Sequence, residues 1–348
     1  MSKPAITAFD DGKGPVYLVD VPEDKTRQPF RIYRAVDITE LLKHQFPIRE
    51  YVLSPILTLG SLNMLYAWRG IGKTHVALGM AYAAASGGSF LNWASERPFK
   101  TLYIDGEMPG EALQARAAAI VLASDKEPPT GFLRFLTVDL NGGIMPDLAT
   151  REGHAQVANE CEQAELIVVD NLSCLVRGNG KENEASTWTE AAEWGLSMRS
   201  KGKCVLYVHH AGKDGAQRGT SKREDLLDVS MSLKRPSDYQ PDQGARFELR
   251  FEKARHLTGQ QSAPFEAWLN ADEHGRQAWT IKPISETTYE RVVELANLGM
   301  TQKEIADEIG INKSSVCKAW NKGYQCGDIK ADRPKSSNKK RHRRDIDD

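Results

Sequence analysis

A short glycine-rich segment followed by lysine and threonine is the feature of this chain most able to do chemistry. Residues 70–74 read Gly-Ile-Gly-Lys-Thr and come directly after an apolar, strand-like run, 62–67. Small residues let backbone N–H groups curl around phosphate oxygens, and the helix that follows points its positive end at the anion. The ammonium group of Lys73 would neutralise the β- and γ-phosphates, and the Thr74 hydroxyl would bind Mg²⁺. We predict a P-loop that binds ATP and Mg²⁺ through Ala67, Trp68, Arg69, Gly70, Ile71, Gly72, Lys73, Thr74 and His75.

One position departs from the full P-loop pattern, G-x-x-x-x-G-K-[ST]. The pattern has glycine where this chain has Ala67, and alanine is small enough to be accepted. The alternative is a chance Gly-Lys-Thr. We do not favour it, because a strand-like run precedes the segment and a helical pattern, 74–86, follows it.

Two further strand-like runs lead to carboxylates. The run 166–170 ends at Asp170, which is placed to bind Mg²⁺ directly or through water. The run after the P-loop helix, 101–105, leads to Glu107, which could polarise the water that attacks the γ-phosphate. The alternative for Glu107 is a solvated loop acid. We predict that Asp170 is a metal ligand and that Glu107 is the general base.

A third strand-like run ends in two adjacent histidines, His209 and His210. One of them could hydrogen-bond the γ-phosphate or the attacking water and report hydrolysis to the loop that follows. Metal binding by the pair is an alternative, but adjacent residues on a strand point to opposite faces and chelate poorly. A structural histidine is the other alternative. We predict that one of the two is a sensor.

These residues must be positioned by the elements around them, and strand-like runs alternate with helical patterns through the middle of the chain. Such alternation predicts an α/β fold with a parallel sheet buried on both faces. After about residue 225 the pattern changes to strands alone, which predicts a mixed or antiparallel extension of the same sheet. The predicted strands are 63–67, 101–105, 133–138, 166–170 and 204–209, then 229–234, 246–253, 265–269 and 278–283, and the predicted helices are 74–86, 111–122, 150–163 and 184–200.

The carboxyl-terminal region reads as three short helices. Thr301 and Glu304 form a capping box ahead of a helix that ends at a glycine. A second helix, 313–320, follows after a turn, and a preceding helix, 287–298, completes a trihelical unit. The segment resembles DNA-binding helix-turn-helix units, and the basic tail after it favours DNA. A protein-interaction domain is the alternative. The residues expected to contact DNA here are Lys313, Ser314, Ser315 and Lys318.

Composition limits the class of protein. The formal net charge of −1 over 348 residues carries no polyanion-binding signature for the whole molecule. The five cysteines form no C-x-x-C pair, so we expect reduced thiols and no metal site or disulfide. No apolar run is long enough to span a membrane, and the N-terminus lacks a signal peptide, which predicts a cytoplasmic protein.

The predicted domains are a partly disordered N-terminal arm at 1–45 with a short helix at 37–43, an ATPase core at 46–284, a helix-turn-helix at 285–328 and a disordered basic tail at 329–348.

The order of the motifs resembles the RecA-like ATPases, and most of all the plasmid RepA-type hexameric helicases, relatives of the DnaB family. The matching segments after Glu107 are 209–211 (His-His-Ala), 218–221 (Arg-Gly-Thr-Ser) and 251–255 (Phe-Glu-Lys-Ala-Arg). The resemblance covers about 46–284. It implies a homo-oligomer, a hexameric ring, in which a cation of the neighbouring subunit completes each ATP site. The candidates for this cation are Arg218, Lys253 and Arg255; the alternative for Arg255 is a surface strand residue paired with an acid.

Two loops are candidates for lining a central channel. The first, 212–222, follows the histidines and carries Lys213, Arg218 and Lys222, which could track the backbone of single-stranded DNA. The second follows Asp170 and spans 177–181. An ordinary solvated loop is the alternative for the first.

Together these expectations describe an ATP-hydrolysing, Mg²⁺-dependent DNA motor. A replicative helicase or loader of a plasmid, phage or integrated element is the favoured role. An ATPase of recombination or partition would share every motif, and a DNA-binding regulator could use its ATPase as an assembly switch. A small-molecule kinase would need an acceptor pocket and an arginine-bearing lid, and it would leave the carboxyl-terminal helices unexplained.

Overall fold

A computed structural model describes most of the chain. The described residues are 6–10, 15–19, 34–46, 49–178, 185–211, 225–236 and 238–330. The chain divides into two compact units, residues 1–48 and 49–348. The candidate DNA-binding residues Lys213 and Lys222, together with Arg218, lie outside the described residues, as does most of the tail.

The first unit contains a strand pair and a short helix. Strand β1 (Ile6–Asp10) pairs antiparallel with β2 (Pro15–Val19). Helix α1 (Ile38–Lys43) begins after Asp37, whose carboxylate accepts a hydrogen bond from the backbone N–H of Glu40. The helix predicted at 37–43 is therefore present, and it starts one residue later.

The second unit is built on a nine-stranded sheet, whose order is β15–β14–β13–β12–β5–β11–β10–β8–β9. The six neighbouring strands from β12 to β9 in this order run parallel, and the other three, β13, β14 and β15, extend the sheet by antiparallel pairing. The predicted α/β fold with an antiparallel extension is thus confirmed. The strands of this unit are β3 (Tyr51–Leu53), β4 (Leu57–Thr58), β5 (Leu62–Ala67), β6 (Ser89–Phe90), β7 (Trp93–Ala94), β8 (Thr101–Asp105), β9 (Leu133–Thr137), β10 (Leu166–Asp170), β11 (Cys204–His210), β12 (Val229–Lys234), β13 (Arg246–Ala254), β14 (Phe265–Ala271) and β15 (Gln277–Pro283).

Helices cover both faces of the sheet, which is why its central strands are apolar throughout. One core cluster joins the sheet to α2 and α3, and a second joins its other face to α4, α5 and α6. All four predicted helices are present, with ends that differ by no more than one residue. The helices are α2 (Lys73–Ser86), α3 (Gly110–Ala123), α4 (Arg151–Glu162), α5 (Leu172–Leu175) and α6 (Ala185–Ser200).

Three carboxyl-terminal helices pack around a small core of their own. They are α7 (Ile284–Asn297), α8 (Gln302–Ile309) and α9 (Lys313–Cys326). Ile305, Val316 and Trp320 are buried among them. The capping box of α8 is present in both directions. Helix α9 continues six residues beyond its predicted end, because Gly323 packs against Ile329 and extends the same core.

The parallel strands bring the chemically important strand ends to one edge of the sheet. Asp170 is the register partner of Asp105, and His210 is the register partner of Ala67. The loop between β5 and α2 lies at the same edge. Among the described helices, none has both the length and the apolar character needed to cross a membrane.

Candidate active site

The loop from β5 to α2 has the backbone of a phosphate-binding loop. Gly70 and Gly72 have φ values of 75° and 124°, a region that side-chain-bearing residues avoid. A Cβ atom on Gly72 would lie 3.3 Å from the Cβ atom of Ala245, so this glycine also leaves room for a neighbouring segment. Helix α2 begins at Lys73, and its N-terminal N–H groups have no side-chain cap. An anion is the natural partner for such a helix end.

Lys73 lies inside this loop with its side chain almost fully buried. Its Nζ donates hydrogen bonds to the carbonyl oxygens of Ala67 and Trp68, at 3.0 and 3.1 Å. Burial lowers the pKa of Lys73 to about 8, and the charges of Asp170 and Glu107 oppose that shift. The ammonium form therefore predominates at neutral pH and supplies the positive charge that phosphate oxygens require.

The alanine at position 67 fits this loop without strain. Ala67 is the last residue of β5 and has extended backbone, so its position does not demand glycine. Its side chain is buried, and its carbonyl holds Lys73. Ile71 turns its side chain into the core between the sheet and α2. The cleft itself is lined by the other loop residues Arg69, Gly70 and Gly72, and by Lys73, Thr74 and His75.

The carboxylate of Asp170 meets the first turn of α2. The Thr74 hydroxyl hydrogen-bonds Asp170, so the two predicted metal ligands are neighbours. The hydroxyl of Tyr103 donates to Oδ2 of Asp170 at 2.6 Å. Burial raises the pKa of Asp170 to about 6, and the bonds from Tyr103 and Thr74 oppose the shift. A buried, hydrogen-bonded carboxylate beside a hydroxyl offers the hard oxygen ligands that Mg²⁺ prefers.

Asp105 is a second buried carboxylate in the cleft. Its Oδ1 accepts hydrogen bonds from the backbone N–H groups of Glu107 and Met108, both at 2.8 Å. These bonds shape the turn that presents Glu107. Its Oδ2 is buried without a hydrogen-bond partner among the described residues. Burial raises the pKa of Asp105.

The predicted base and one of the predicted sensor histidines meet at Asn171. The side-chain amide of Asn171 donates to Oε2 of Glu107 and lies 3.3 Å from Nε2 of His210. Nε2 of His210 is 3.7 Å from Oε2 of Glu107. The side-chain oxygen of Asn171 accepts from the backbone N–H of Cys174 and caps α5. One side chain thus contacts both the predicted base and the histidine.

The two adjacent histidines differ in placement. Both are buried, but His210 lines the cleft and His209 does not, because adjacent residues of a strand face opposite ways. The alternative of a metal-chelating pair does not fit this geometry. His75, the residue after Thr74, also lines the cleft. Burial lowers the pKa of His75 to about 4, with a further contribution from the charge of Arg116.

A short segment after β12 forms the outer wall of the cleft. The guanidinium of Arg235 stacks on the ring of Tyr239 at 3.9 Å and donates to the carbonyl oxygen of Gly70 at 3.2 Å. Buried Arg246 holds this segment through Asp238, at 3.2 Å. The wall therefore brings a cation and an aromatic ring to the cleft beside the P-loop.

These groups surround a cleft of about 690 Å³, a size common for ligand pockets. The residues fit MgATP: the glycine loop and the N-terminus of α2 accept phosphates, while Lys73, Arg69 and Arg235 balance the negative charge. Thr74 and Asp170 would hold the metal. Arg255, one candidate for the additional cation at the ATP site, is not among the residues that line this cleft.

Arg255 lies at the other edge of the sheet. It follows Ala254, which pairs with Val229, and Val229 pairs with Asn63 at the beginning of β5. Its guanidinium donates to the backbone carbonyl of Asp225 at 2.6 Å. Lys253 lies at the same end of β13. A catalytic role for either residue therefore requires a neighbouring subunit.

The sequence patterns did not identify several residues that line the cleft or contact its side chains. Asn171 follows Asp170 directly, so its position at the end of a buried strand was an available signal. Arg235 follows β12 in the same way, but this signal depends on knowing that β12 is parallel to β5. The other residues missed are Tyr103, Asp105, Arg116 and Tyr239, and no sequence signal distinguishes Tyr103 from an ordinary core residue.

One family model and two solved structures are similar to this chain. A family model described as AAA domain matches residues 26–216, more than half of the chain. Two archaeal structures are similar: the flagellar accessory protein FlaH from Methanocaldococcus jannaschii and a KaiC-like protein from Pyrococcus horikoshii OT3. FlaH is 10% identical, with 65% of this chain and 91% of that chain covered at a TM-score of 0.46. The KaiC-like protein is 14% identical, with 67% and 94% covered at a TM-score of 0.45. From the family match and the geometry of the cleft, we conclude that the chain belongs to the AAA domain family and is a P-loop ATPase.

Proposed function

We propose that this ATPase is a DNA-binding motor, a ring-forming replicative DNA helicase of the RepA-like type. The observation that carries the proposal is the contact of Glu107, Asn171 and His210. It joins the general base to the end of β11, and the candidate channel loop 212–222 follows that strand directly. Hydrogen bonds among these three side chains would couple hydrolysis of the γ-phosphate to movement of the DNA-binding loop.

In this mechanism each residue has a separate task. Lys73 neutralises the β- and γ-phosphates, and Glu107 accepts a proton from the attacking water. Thr74 and Asp170 hold Mg²⁺, which would stabilise the charge on the phosphates. His210 changes its contact with Glu107 and Asn171 as the γ-phosphate leaves. Because His210 ends β11, that change passes to the loop.

The carboxyl-terminal helices would add affinity for duplex DNA. Lys313, Ser314 and Lys318 are exposed on α9, and Ser315 is half-buried. Asn312 caps α9 by accepting a hydrogen bond from the backbone N–H of Ser315 at 2.8 Å. The cap gives the first turn a defined shape, and a helix N-terminus with nearby lysines suits a phosphate contact.

A ring would complete the site. The sheet edge that carries Arg255 is opposite the edge that carries the P-loop. In a head-to-tail ring, one subunit would present Arg255 to the P-loop of the next. Heterologous contacts of this kind close into rings when the rotation between subunits allows.

The deciding experiment measures ATP turnover of the full chain with and without single-stranded DNA, together with sizing in MgATP and strand displacement on a forked duplex. We expect DNA-stimulated turnover, a ring-sized assembly and ATP-dependent displacement. DNA-stimulated turnover without displacement would favour the recombination or partition ATPase. Slow turnover with sequence-specific duplex binding would favour the regulator.

A further inference from the structure

A fully buried hydroxyl lies directly behind the metal-binding carboxylate. Tyr103 is at the centre of β8 with 0% of its surface exposed. Its ring packs between the sheet and α2 and lies 5.7 Å from the ring of Phe135. Phenylalanine would serve this packing equally well. The hydroxyl, however, donates a 2.6 Å hydrogen bond to Oδ2 of Asp170.

The hydrogen bond constrains a carboxylate that is otherwise crowded. Asp170 lies next to Asp105 in the register of the sheet, and both side chains line the cleft. Two neighbouring buried carboxylates repel each other, and this repulsion favours rotation of one of them. Rotation of the Asp170 carboxylate would break the bond from Tyr103 to Oδ2, so this bond favours one orientation of the carboxylate. Asp105 is restrained separately by backbone N–H groups of the Glu107 turn.

We propose that Tyr103 is a positioning residue for the metal site: its hydroxyl orients Asp170 for Mg²⁺ bound with the nucleotide. The inference rests on the proposed Mg²⁺-dependent ATPase function. Hydrogen-bond partners of metal-binding carboxylates fix their orientation, and their loss costs about 10- to 100-fold in metal affinity or activity. Tyr103 makes no contact with the nucleotide in this assignment and acts through Asp170 alone.

The test uses two tyrosine-to-phenylalanine variants of the full chain. Tyr103→Phe removes the hydroxyl that faces Asp170. Tyr207→Phe is the matched control, because Tyr207 is also 0% exposed on the central sheet and donates a hydrogen bond of the same length, 2.6 Å, to the carbonyl oxygen of Ala191. Both variants lose one buried hydrogen bond, but only one loses a bond to the metal site.

The readouts are ATP binding in EDTA, ATP binding over a Mg²⁺ titration, and thermal unfolding. We expect Tyr103→Phe to bind ATP in EDTA with the wild-type affinity. In the Mg²⁺ titration, the Mg²⁺ concentration that gives half of the full increase in ATP affinity should be about tenfold higher than for the wild type. Tyr207→Phe should keep the wild-type Mg²⁺ dependence. Equal Mg²⁺ dependence of the two variants would overturn the inference and leave the hydroxyl a structural role. Loss of nucleotide binding by the wild-type chain would instead overturn the proposed function.

A second variant covers the case in which Tyr103→Phe does not fold. Site-specific 3,5-difluorotyrosine at position 103 keeps the ring and the hydroxyl but makes the hydroxyl a stronger donor, so it should draw Oδ2 of Asp170 toward itself and alter the carboxylate that binds Mg²⁺. A changed Mg²⁺ requirement with unchanged affinity in EDTA would support the inference. An unchanged Mg²⁺ requirement would overturn it.

Discussion

Asn171 donates a hydrogen bond from its side-chain amide to a carboxylate oxygen of Glu107. Asn171 follows β10 and Glu107 follows β8, so the bond ties together two neighbouring strand ends of the parallel sheet. The same amide nitrogen is 3.3 Å from Nε2 of His210, at the end of a third strand. The orientation of Glu107, the predicted base, therefore depends on a residue outside the motifs recognised in the sequence.

The first prediction concerns this bond. Asn171→Ser keeps a side chain that caps α5, but serine is too short to reach Glu107. We expect kcat to fall by about tenfold or more, because a misplaced catalytic group costs rate, while ATP affinity stays near the wild-type value. The measurement is steady-state turnover together with nucleotide binding. Asn141→Ser is the control, since the side chain of Asn141 bonds the carbonyl oxygen of Thr137 outside the cleft. Wild-type kcat in Asn171→Ser would contradict the prediction.

The second prediction separates binding from chemistry at Glu107. Glu107→Gln preserves shape and the contact with Asn171 but cannot accept a proton from water. We expect ATP binding to persist and hydrolysis to slow by about 10²-fold or more. Single-turnover assays check this, with the exposed Glu111→Gln on α3 as the control. If Glu107→Gln loses only ATP affinity, Glu107 is not the base.

The third prediction follows from the raised pKa of Asp170, about 6 in the folded chain against ~4 in an unfolded chain. Above the folded pKa, folding must bury a charge; below the unfolded pKa, the group is protonated in both states. The contribution of Asp170 to the free energy of unfolding therefore falls as pH rises from about 4 to about 6. Asp170→Asn removes this cost, and we expect it to stabilise the Mg²⁺-free chain at neutral pH by up to ~3 kcal/mol.

Urea unfolding in EDTA at several pH values measures the effect. The difference between Asp170→Asn and the wild type should shrink toward zero near pH ~4. Asp272→Asn is a control of opposite sign, because hydrogen bonds from the Arg276 segment lower the pKa of Asp272. An Asp170→Asn variant that is less stable than the wild type at neutral pH would count against the argument.

The fourth prediction places Arg255 in the site of a neighbouring subunit. Arg255→Ala should retain ATP binding and lose turnover, since a cation at the phosphates matters most in the transition state. Lys73→Ala should abolish turnover through its own site. A mixture of the two variants should recover some activity, because an intact Lys73 and an intact Arg255 can then meet at one interface. Full activity from a strictly monomeric protein, or no recovery despite proven co-assembly, would exclude this arrangement.

The fifth prediction concerns the carboxyl-terminal helices. Truncation near Ser285 removes α7 to α9 and the basic tail. We expect weaker binding to duplex DNA and a flatter salt dependence, because fewer phosphates are neutralised, with basal ATP turnover unchanged. Fluorescence anisotropy at several salt concentrations measures this. A charge-reversing pair, Lys313→Glu with Lys318→Glu, is the matched point variant. Unchanged DNA affinity would indicate a protein-interaction domain.

The local pattern was enough to locate the elements and several of the side chains that line the cleft. Strand β10 is five consecutive buried residues ending in an acid, and such a run in a parallel sheet delivers its last side chain to the carboxyl edge. The glycines of the P-loop and the capping box of α8 could also be recognised from the sequence, because turn and cap geometry depend on a few adjacent residues. Lys73, Thr74, Glu107, Asp170 and the three carboxyl-terminal helices could therefore be predicted.

Only the tertiary structure decided which partners these residues meet. Tyr103 and Asp170 are 67 positions apart and Asn171 and Glu107 are 64 apart, so their contacts depend on strand order. The choice between His209 and His210 depends on which face of β11 meets the cleft. The parallel direction of β12 brings Arg235 to the P-loop, whereas the antiparallel direction of β13 carries Arg255 away from it. The change to strands alone after about residue 225 predicted a mixed or antiparallel extension, but it did not indicate that β12 runs parallel to β5 and β13 antiparallel to β12.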